Sequence, residues 1–389
     1  MPIVIYIFAI SAFALGLAEF LPIGLSDVIA VDLGVSVEQV GKNVTAYALG
    51  ATISAPILTA LTTNWSRKTV MLTTAGLFSV GSLLAVLAGN LAVMTASRFL
   101  AGVGHGLFLA VASSTAADLA GKARAGRAVA VVFSGFTLAM AVGVPLSTWL
   151  GGIISWRWVM SLVTLFGIIG GVGLLCGMKD CLPTAERQSV AENLHILFSP
   201  FLLSAALVTV FAYAGTFSAY TYIAPMLNQI TGVAVQHIGI FMLIYGISAA
   251  IGNIWGGHLT DRLGEYKANI LIISGIILTA LLMWFALSSI VAMGVLVASL
   301  GFFTFAVVPS LQARLLKLAI GFSSNAQGIA AGLNIAGFNL GVAFGSFTGG
   351  VVIAHGGFAY THLAAVVLSL IGLSLMLWQS KKFVNAQMC

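Results

Sequence analysis

The chain has 389 residues, of which 60% are hydrophobic and only 7% charged, and its formal net charge is +6. Soluble globular chains are about one-quarter charged, so a mean hydropathy of +1.10 excludes that class and points to a polytopic membrane protein. The positive balance is no sign of nucleic-acid binding, because most basic residues fall in alternate loops, which is a topology signal. No polar stretch is long enough for a separate soluble domain, and Cys176, Cys181 and Cys389 show neither metal spacing nor a disulfide framework.

Residues 3–28 form an apolar run long enough to span a membrane, and Glu19 lies inside it. A carboxylate at that depth is expensive unless it has a partner or a task. No Lys or Arg precedes the run and no cleavage site follows Glu19, so a retained first helix is expected rather than a signal peptide. Further apolar segments of about 20 residues follow at 38–62, 70–91, 93–117, 127–152, 157–178, 199–224, 235–258, 268–288, 290–312, 324–352 and 358–379. With a cytoplasmic N-terminus, thirteen of the sixteen Lys and Arg residues fall in inside loops or the tail, among them Arg67, Lys68, Arg262, Arg314 and Lys317. That bias predicts both termini in the cytoplasm.

The longest inside loop, 179–198, has mixed charge and Pro183 and reads as a cytoplasmic linker; 186–196 has the make-up of a short surface helix. It divides the chain into six-helix halves, 1–178 and 199–389, the second ending in a short cytoplasmic tail. Shifted by 198 residues, Tyr47 meets Tyr245, Gly143 meets Gly341, and Gly151 and Gly152 meet Gly349 and Gly350. One offset thus aligns the second segment with the eighth and the fifth with the eleventh, as a duplication would. Two repeats with a site near the midplane between them is a common transporter plan.

Three motifs stand out. Gly257-His258-Leu259-Thr260-Asp261-Arg262-Leu263-Gly264 closes the eighth segment. Gly257 is expected to admit a neighbouring helix, Asp261 and Arg262 to form a charged latch, and Gly264 to end the helix; an ordinary loop is the plain alternative. In the fourth segment, Arg98 and His105 are seven residues apart, so they share one helical face with Gly102. An intramembrane Arg is seldom left facing lipid. Arg98 as a snorkelling structural tie and His105 as a packing histidine are the alternatives. In the fifth segment, Pro145 is expected to kink the helix, with Gly143, Gly151 and Gly152 packing closely around it.

The string from Gly257 to Gly264 resembles the loop signature of the major facilitator superfamily. The corresponding loop of the first half keeps the basic pair Arg67-Lys68 but has Thr63 where the family has Asp, so an acidic latch does not carry over there. The Arg98 motif resembles the family's fourth-helix motif, whose Arg is associated with proton coupling. The fifth-segment motif resembles that of the family's antiporters in a looser form, with Val144 between Gly143 and Pro145. Glu19 to Leu25, Tyr47 to Pro56, Tyr220 to Pro225 and Asn334 to Gly341 are similar to the sugar-efflux and arabinose-exporter branch of the twelve-helix drug:proton antiporters. The resemblance covers essentially the whole chain. It implies an all-α integral membrane protein with twelve transmembrane helices in two pseudo-symmetric halves. It also implies a cavity lined by helices one, two, four, five, seven, eight, ten and eleven, a monomer, and a bacterial inner membrane.

Helix geometry puts Glu19 about 24 Å along its helix, with Arg98 about 9 Å and His105 about 20 Å below the outer face. Glu19 and Arg98 are thus at compatible depths. A buried carboxyl beside a guanidinium is held between loading and releasing a proton. Glu19 is therefore expected to carry the proton, Arg98 to tune it and His105 to assist; a fixed Glu19–Arg98 ion pair is the alternative. The cavity wall is expected to use Tyr47, Tyr220, Tyr222, Tyr245, Asn253, Gln312, Asn334 and Asn339, uncharged groups that suit a neutral hydrophilic or amphipathic solute. Asp27 and Asp32 are expected in an outer loop and Asp118 at the inner end of the fourth helix, all three in solvated or capping roles, with a gate contact from Asp118 to Arg124 or Arg127 as the alternative.

The sequence thus points to a proton-coupled antiporter that exports small sugar-like or drug-like solutes. A proton symporter or facilitator importing a metabolite is the alternative. An enzyme is disfavoured, since no H-E-x-x-H, G-x-S-x-G or Cys/His cluster occurs, and no loop is large enough for a signalling domain. There is no phosphate-binding G-x-x-x-x-G-K-[ST] loop, so the proton gradient is the expected energy source, with no cofactor and no metal.

Overall fold

A computed structural model describes residues 2–62, 65–120, 125–179, 197–319 and 326–387, and these are helical with short connections and no strand. In a bilayer each backbone group must be satisfied within the protein, and apolar runs of this length achieve that as helices, whose bonds are all internal to the segment. Among the described residues, ten helices are long and apolar enough to cross a membrane. One of them, Val235–Ala286, is two helices divided at Gly264, and Lys42–Leu61 adds a further 20-residue helix, so each expected segment has its helix.

In chain order the spans are Ile3–Gly24, Lys42–Leu61, Arg67–Val86, Leu91–Ala120, the fifth from Ala125 to Gly151, and Trp156–Gly177. Then come Pro200–Tyr220, the two arms of Val235–Ala286 as eighth and ninth, Ile290–Ala319, Ala326–Gly356 and Tyr360–Gln387. Short helices Ser26–Leu33 and Ile223–Gln229 follow the first and seventh spans, so Asp27 and Asp32 are helical rather than in an open loop.

Several helices outrun their hydrophobic segments. The tenth reaches Ala319 rather than stopping near residue 312. Hydropathy marks where lipid ends, whereas Leu315 and Ala319 continue the helix because they pack with Leu197, Leu202 and Ala330 in a core cluster at that end of the second half. The eighth span likewise runs up to Gly264, whose φ of 76° and ψ of 157° fall in a region open essentially only to glycine. Gly264 therefore ends the eighth span as expected. Gly257 does not admit a neighbour: a Cβ there would meet nothing within 4 Å, whereas one on Gly256 would lie 2.1 Å from the Ala306 carbonyl oxygen. The irregularity of the fifth span is a π-helical turn, Ala139–Gly143, and Pro145 sits in the first turn of the α-helix that resumes at Val144. The missing N–H of Pro145 leaves a carbonyl of the preceding turn without its donor, and the widened turn absorbs the mismatch.

Each half repeats one packing scheme. The second span crosses the fourth, and the eighth crosses the tenth. In the first crossing a Cβ on Gly102 would lie 2.0 Å from the Tyr47 carbonyl oxygen; in the second, one on Gly301 would lie 2.5 Å from that of Tyr245. The first span packs on the fifth as the seventh packs on the eleventh.

The halves join at the face remote from the chain termini. There Gln229 Nε2 donates to Asp27 Oδ1 at 3.1 Å, Thr45 Oγ1 donates to the Ala343 carbonyl at 3.4 Å, and the fifth span lies against the eighth along Gly239 and Gly246. Among the described residues, the hydrogen bonds and ring contacts between halves all lie between the middle of the spans and this face. A Cβ on Gly246 would lie 2.3 Å from the Met140 carbonyl oxygen, and overpacking of this kind opposes the packed form by about 1–3 kcal/mol. Gly246→Val is therefore expected to part the fifth and eighth spans while leaving each half folded. Spin-label distances across the remote face should lengthen, and an unchanged distribution would contradict this closure.

Candidate functional site

Four side chains from three spans meet in the first half. Arg98 and His105 project from the fourth span on either side of Gly102, and the missing side chain of Gly102 lets Tyr47 of the second span settle between them. The Tyr47 hydroxyl lies 2.9 Å from His105 Nδ1 and 3.4 Å from the Leu15 carbonyl oxygen of the first span. The Arg98 guanidinium carbon stands 4.2 Å from the centre of the Tyr47 ring, a cation–π geometry. Glu19 Oε2 is 3.8 Å from His105 Nδ1. All four are buried, Arg98 at 1% exposure and Glu19 at 7%, so Arg98 does not snorkel. The base at ion-pair distance from Glu19 is His105; the Arg98 guanidinium stands over the Tyr47 ring.

Glu19 abuts the seam between the halves. Its neighbour Phe20 has ring centroids of Phe136 at 5.6 Å, Phe217 at 6.2 Å, and Tyr220 and Phe305 at 6.4 Å. Tyr220 in turn stacks on Tyr245 with centroids 4.0 Å apart. Three of the four rings around Phe20 belong to the second half, so this aromatic cluster joins the halves beside the carboxyl group.

The expected cavity residues divide. Tyr220 and Tyr245 line the seam, and Asn253 is half-buried on the eighth span. Tyr47 belongs to the Glu19 cluster instead. Tyr222 is at the remote face, where its hydroxyl donates to the Ser346 carbonyl at 2.9 Å and its ring fills the space beside Gly41. Asn334 donates to Gln312 at 2.8 Å and accepts from Thr209 at 2.7 Å, and Asn339 donates to the Ile335 carbonyl of its own helix at 3.0 Å. Asn334 and Gln312 are thus joined to each other and to Thr209, whereas Asn339 bonds only its own helix and, among the described residues, its buried Oδ1 has no partner.

The expected gate residues also separate. Asp261 and Arg262 are exposed, and among the described residues neither forms an ion pair. The pair at that loop is Glu265 with Lys317, at 2.7 Å, because Glu265 opens the ninth span opposite the extended end of the tenth. Arg67 starts the third span, and Lys68 Nζ donates to the Leu175 carbonyl at 3.0 Å, capping the sixth. Gly143 packs on Leu17 and Phe13 of the first span, whereas the Pro145 carbonyl faces Gly239 across the halves. Thr63, Arg124 and segment 180–196, with its expected surface helix, lie outside the described residues, as do the side chains of Asp118 and Arg127.

Three polar features were not anticipated. Arg314, counted as a loop cation, is 7% exposed and donates to the Ala205 carbonyl and to Gln379; its place on the apolar stripe with Leu311 and Leu315 was the available signal. His362, in the first turn of the twelfth span, is also buried. Asp32 is bound by Arg157, and that hydrogen bond holds its carboxyl below the usual carboxylate range. Among the described residues no cluster of His, Cys, Asp and Glu could hold a metal ion.

The family profile of the Major Facilitator Superfamily matches residues 8–332. The chain is 34% identical to the inner membrane transport protein YdhP of Escherichia coli strain K12, over 96% of this chain and 95% of that protein. It is 30% identical to the chloramphenicol resistance protein of Streptomyces lividans, over 91% of this chain and 90% of that protein. A crystal structure of a bacterial homologue of the human lysosomal transporter Spinster superposes with a TM-score of 0.76 at 15% identity, covering 98% of this chain and 97% of that one.

Tyr47→Phe keeps the ring under Arg98 but strips His105 Nδ1 of its hydroxyl partner. An orphaned buried polar group costs about 1–3 kcal/mol, so the purified variant should unfold at a lower temperature than wild type. Tyr47→Leu, which also loses the cation–π contact, should be lower still. Equal midpoints for all three would contradict the arrangement.

Proposed function

The chain belongs to the major facilitator superfamily and is a membrane transporter rather than an enzyme; on that premise we propose that it is a proton-driven antiporter exporting small neutral or amphipathic solutes, sugar-like or drug-like, by alternating access. The observation that carries this reading is the position of Glu19: buried, within reach of His105, and one residue from the aromatic seam where the halves meet.

In the proposed cycle Glu19 is the proton carrier. A buried carboxylate is costly in a membrane interior, so proton occupancy of Glu19 and the packing of the seam depend on each other. Loading a proton favours the dry, closed arrangement around Phe20. Parting of the halves there wets the carboxyl and lets the proton leave. Arg98, held over the Tyr47 ring, keeps a fixed positive charge nearby, and His105 and the Tyr47 hydroxyl offer a short relay. Solute would enter from the face that carries the termini, since the opposite face is sealed in this form.

The same reading places the protein in a bacterial inner membrane with both termini in the cytoplasm, supported by the thirteen of sixteen basic residues that fall to one side of the membrane, in loops, at span ends and in the tail. It takes the protein to be a monomer that uses the proton gradient and no cofactor. The resistance protein of Streptomyces, at 30% identity, supports export over import.

Everted vesicles holding the protein, energised by an imposed pH gradient, should accumulate substrate from a solute panel. Glu19→Gln should abolish that accumulation while leaving protein levels and gradient-free exchange intact. Undiminished uphill transport by Glu19→Gln would refute the assignment, and accumulation by whole cells instead of everted vesicles would favour import.

A further inference from the structure

The outer flank of the second and fourth spans carries a groove that has no part in the transport cycle described above. It occupies about 700 Å³ between the two helices. It is lined by small residues, Ala46, Ala92, Thr95 and Ala96, the Thr95 hydroxyl being bound to Asn43, and by Leu49 and Phe99. Lys42 stands at its mouth, at the remote end of the second span. The run from Lys42 to Leu49 makes the groove about 10 Å deep along the helix axis, the reach of the upper part of an acyl chain. Ala92, Ala96 and Phe99 are exposed, so in a membrane this trough opens onto lipid.

The charge at the mouth sets the choice of occupant. Among the described residues, the Lys and Arg side chains at the span ends of the remote face are Lys42 and Arg157, beside the imidazoles of His237 and His355. Arg157 is taken by Asp32 and by the Ala88 carbonyl. Lys42 is exposed and, among the described residues, has no carboxylate within ion-pair distance. An ammonium at interfacial depth above an apolar trough matches a phosphate headgroup above a hydrocarbon chain.

We propose that this groove binds a phospholipid with a net anionic headgroup, its phosphate on the Lys42 ammonium and one acyl chain along Ala46, Ala92 and Ala96 between Leu49 and Phe99. The site does not depend on the direction or energetics of transport. It does lie directly behind the cluster already described. Tyr47 follows Ala46, Arg98 precedes Phe99, and a Cβ on Gly50 would lie 2.3 Å from the Phe99 carbonyl oxygen. A lipid seated there bears on the tight crossing of the helix pair that holds Tyr47 between Arg98 and His105.

Native mass spectrometry of the full chain, released from bilayers of equimolar phosphatidylglycerol and phosphatidylcholine, tests the site. Wild type should retain phosphatidylglycerol in preference to phosphatidylcholine. Lys42→Glu should lower the retained phosphatidylglycerol by about fivefold or more, the scale of one interfacial lysine, and Lys42→Arg should keep it. Ala96→Phe, which fills the trough and leaves Lys42 in place, should also lower retention. Equal retention of the two lipids by wild type, or retention unchanged in Lys42→Glu or in Ala96→Phe, would overturn the proposal.

Discussion

A carboxyl group buried in the first membrane span must be answered by its surroundings, and much of the first half is arranged to do so. Glu19 is reached by His105 from the fourth span. His105 is held by the Tyr47 hydroxyl from the second, and Tyr47 is clamped between the backbone of the first span and the guanidinium of Arg98. The geometry requires three spans to cross at close quarters, and the glycine at position 102 is what admits the second span to the fourth. Remove the Tyr47 hydroxyl and His105 Nδ1 is left buried without its hydrogen-bond partner, which costs more than the contact contributed.

The second half answers differently. At the position aligned with Glu19 it has Phe217, packed against Tyr213 and Tyr220, and Tyr220 leads on to Tyr245 and Phe305. Its amides are joined to one another and to Thr209. Shared architecture thus carries unlike chemistry: titratable groups on one side of the seam, rings and neutral dipoles on the other. In the proposed cycle this asymmetry keeps proton handling in one half, while the other supplies a wall against which Phe20 can close and open.

Much of this was legible in the sequence where helical phase decides the outcome. Arg98, Gly102 and His105 share a face because of their spacing, and that stripe meets one neighbour in the structure. The apolar runs located the spans, and Gly264 marked a true end. Tyr47 was assigned to the cavity wall because its helical face could be read but its neighbour could not; the Gly102 crossing that turns it toward His105 is a tertiary feature. Gly257 and Gly256 show how fine the margin is. Adjacent helical residues point about 100° apart, and it is Gly256 that faces the tenth span. Arg314 and the far end of the tenth helix were hidden for another reason. Hydropathy reports the lipid boundary, while the helix continues on packing with Leu315 and Ala319. Asp27 and Asp32 looked like solvated loop charges because their partners, Gln229 and Arg157, are far away in the chain.

The central claim is that Glu19 exchanges a proton in response to its surroundings. Infrared difference spectroscopy of the purified protein across the physiological pH range addresses it without knowledge of the substrate. A protonated-carboxyl band that appears and disappears with pH in wild type and is absent from Glu19→Gln is the predicted result. The same band, with the same pH dependence, in both proteins would contradict the account.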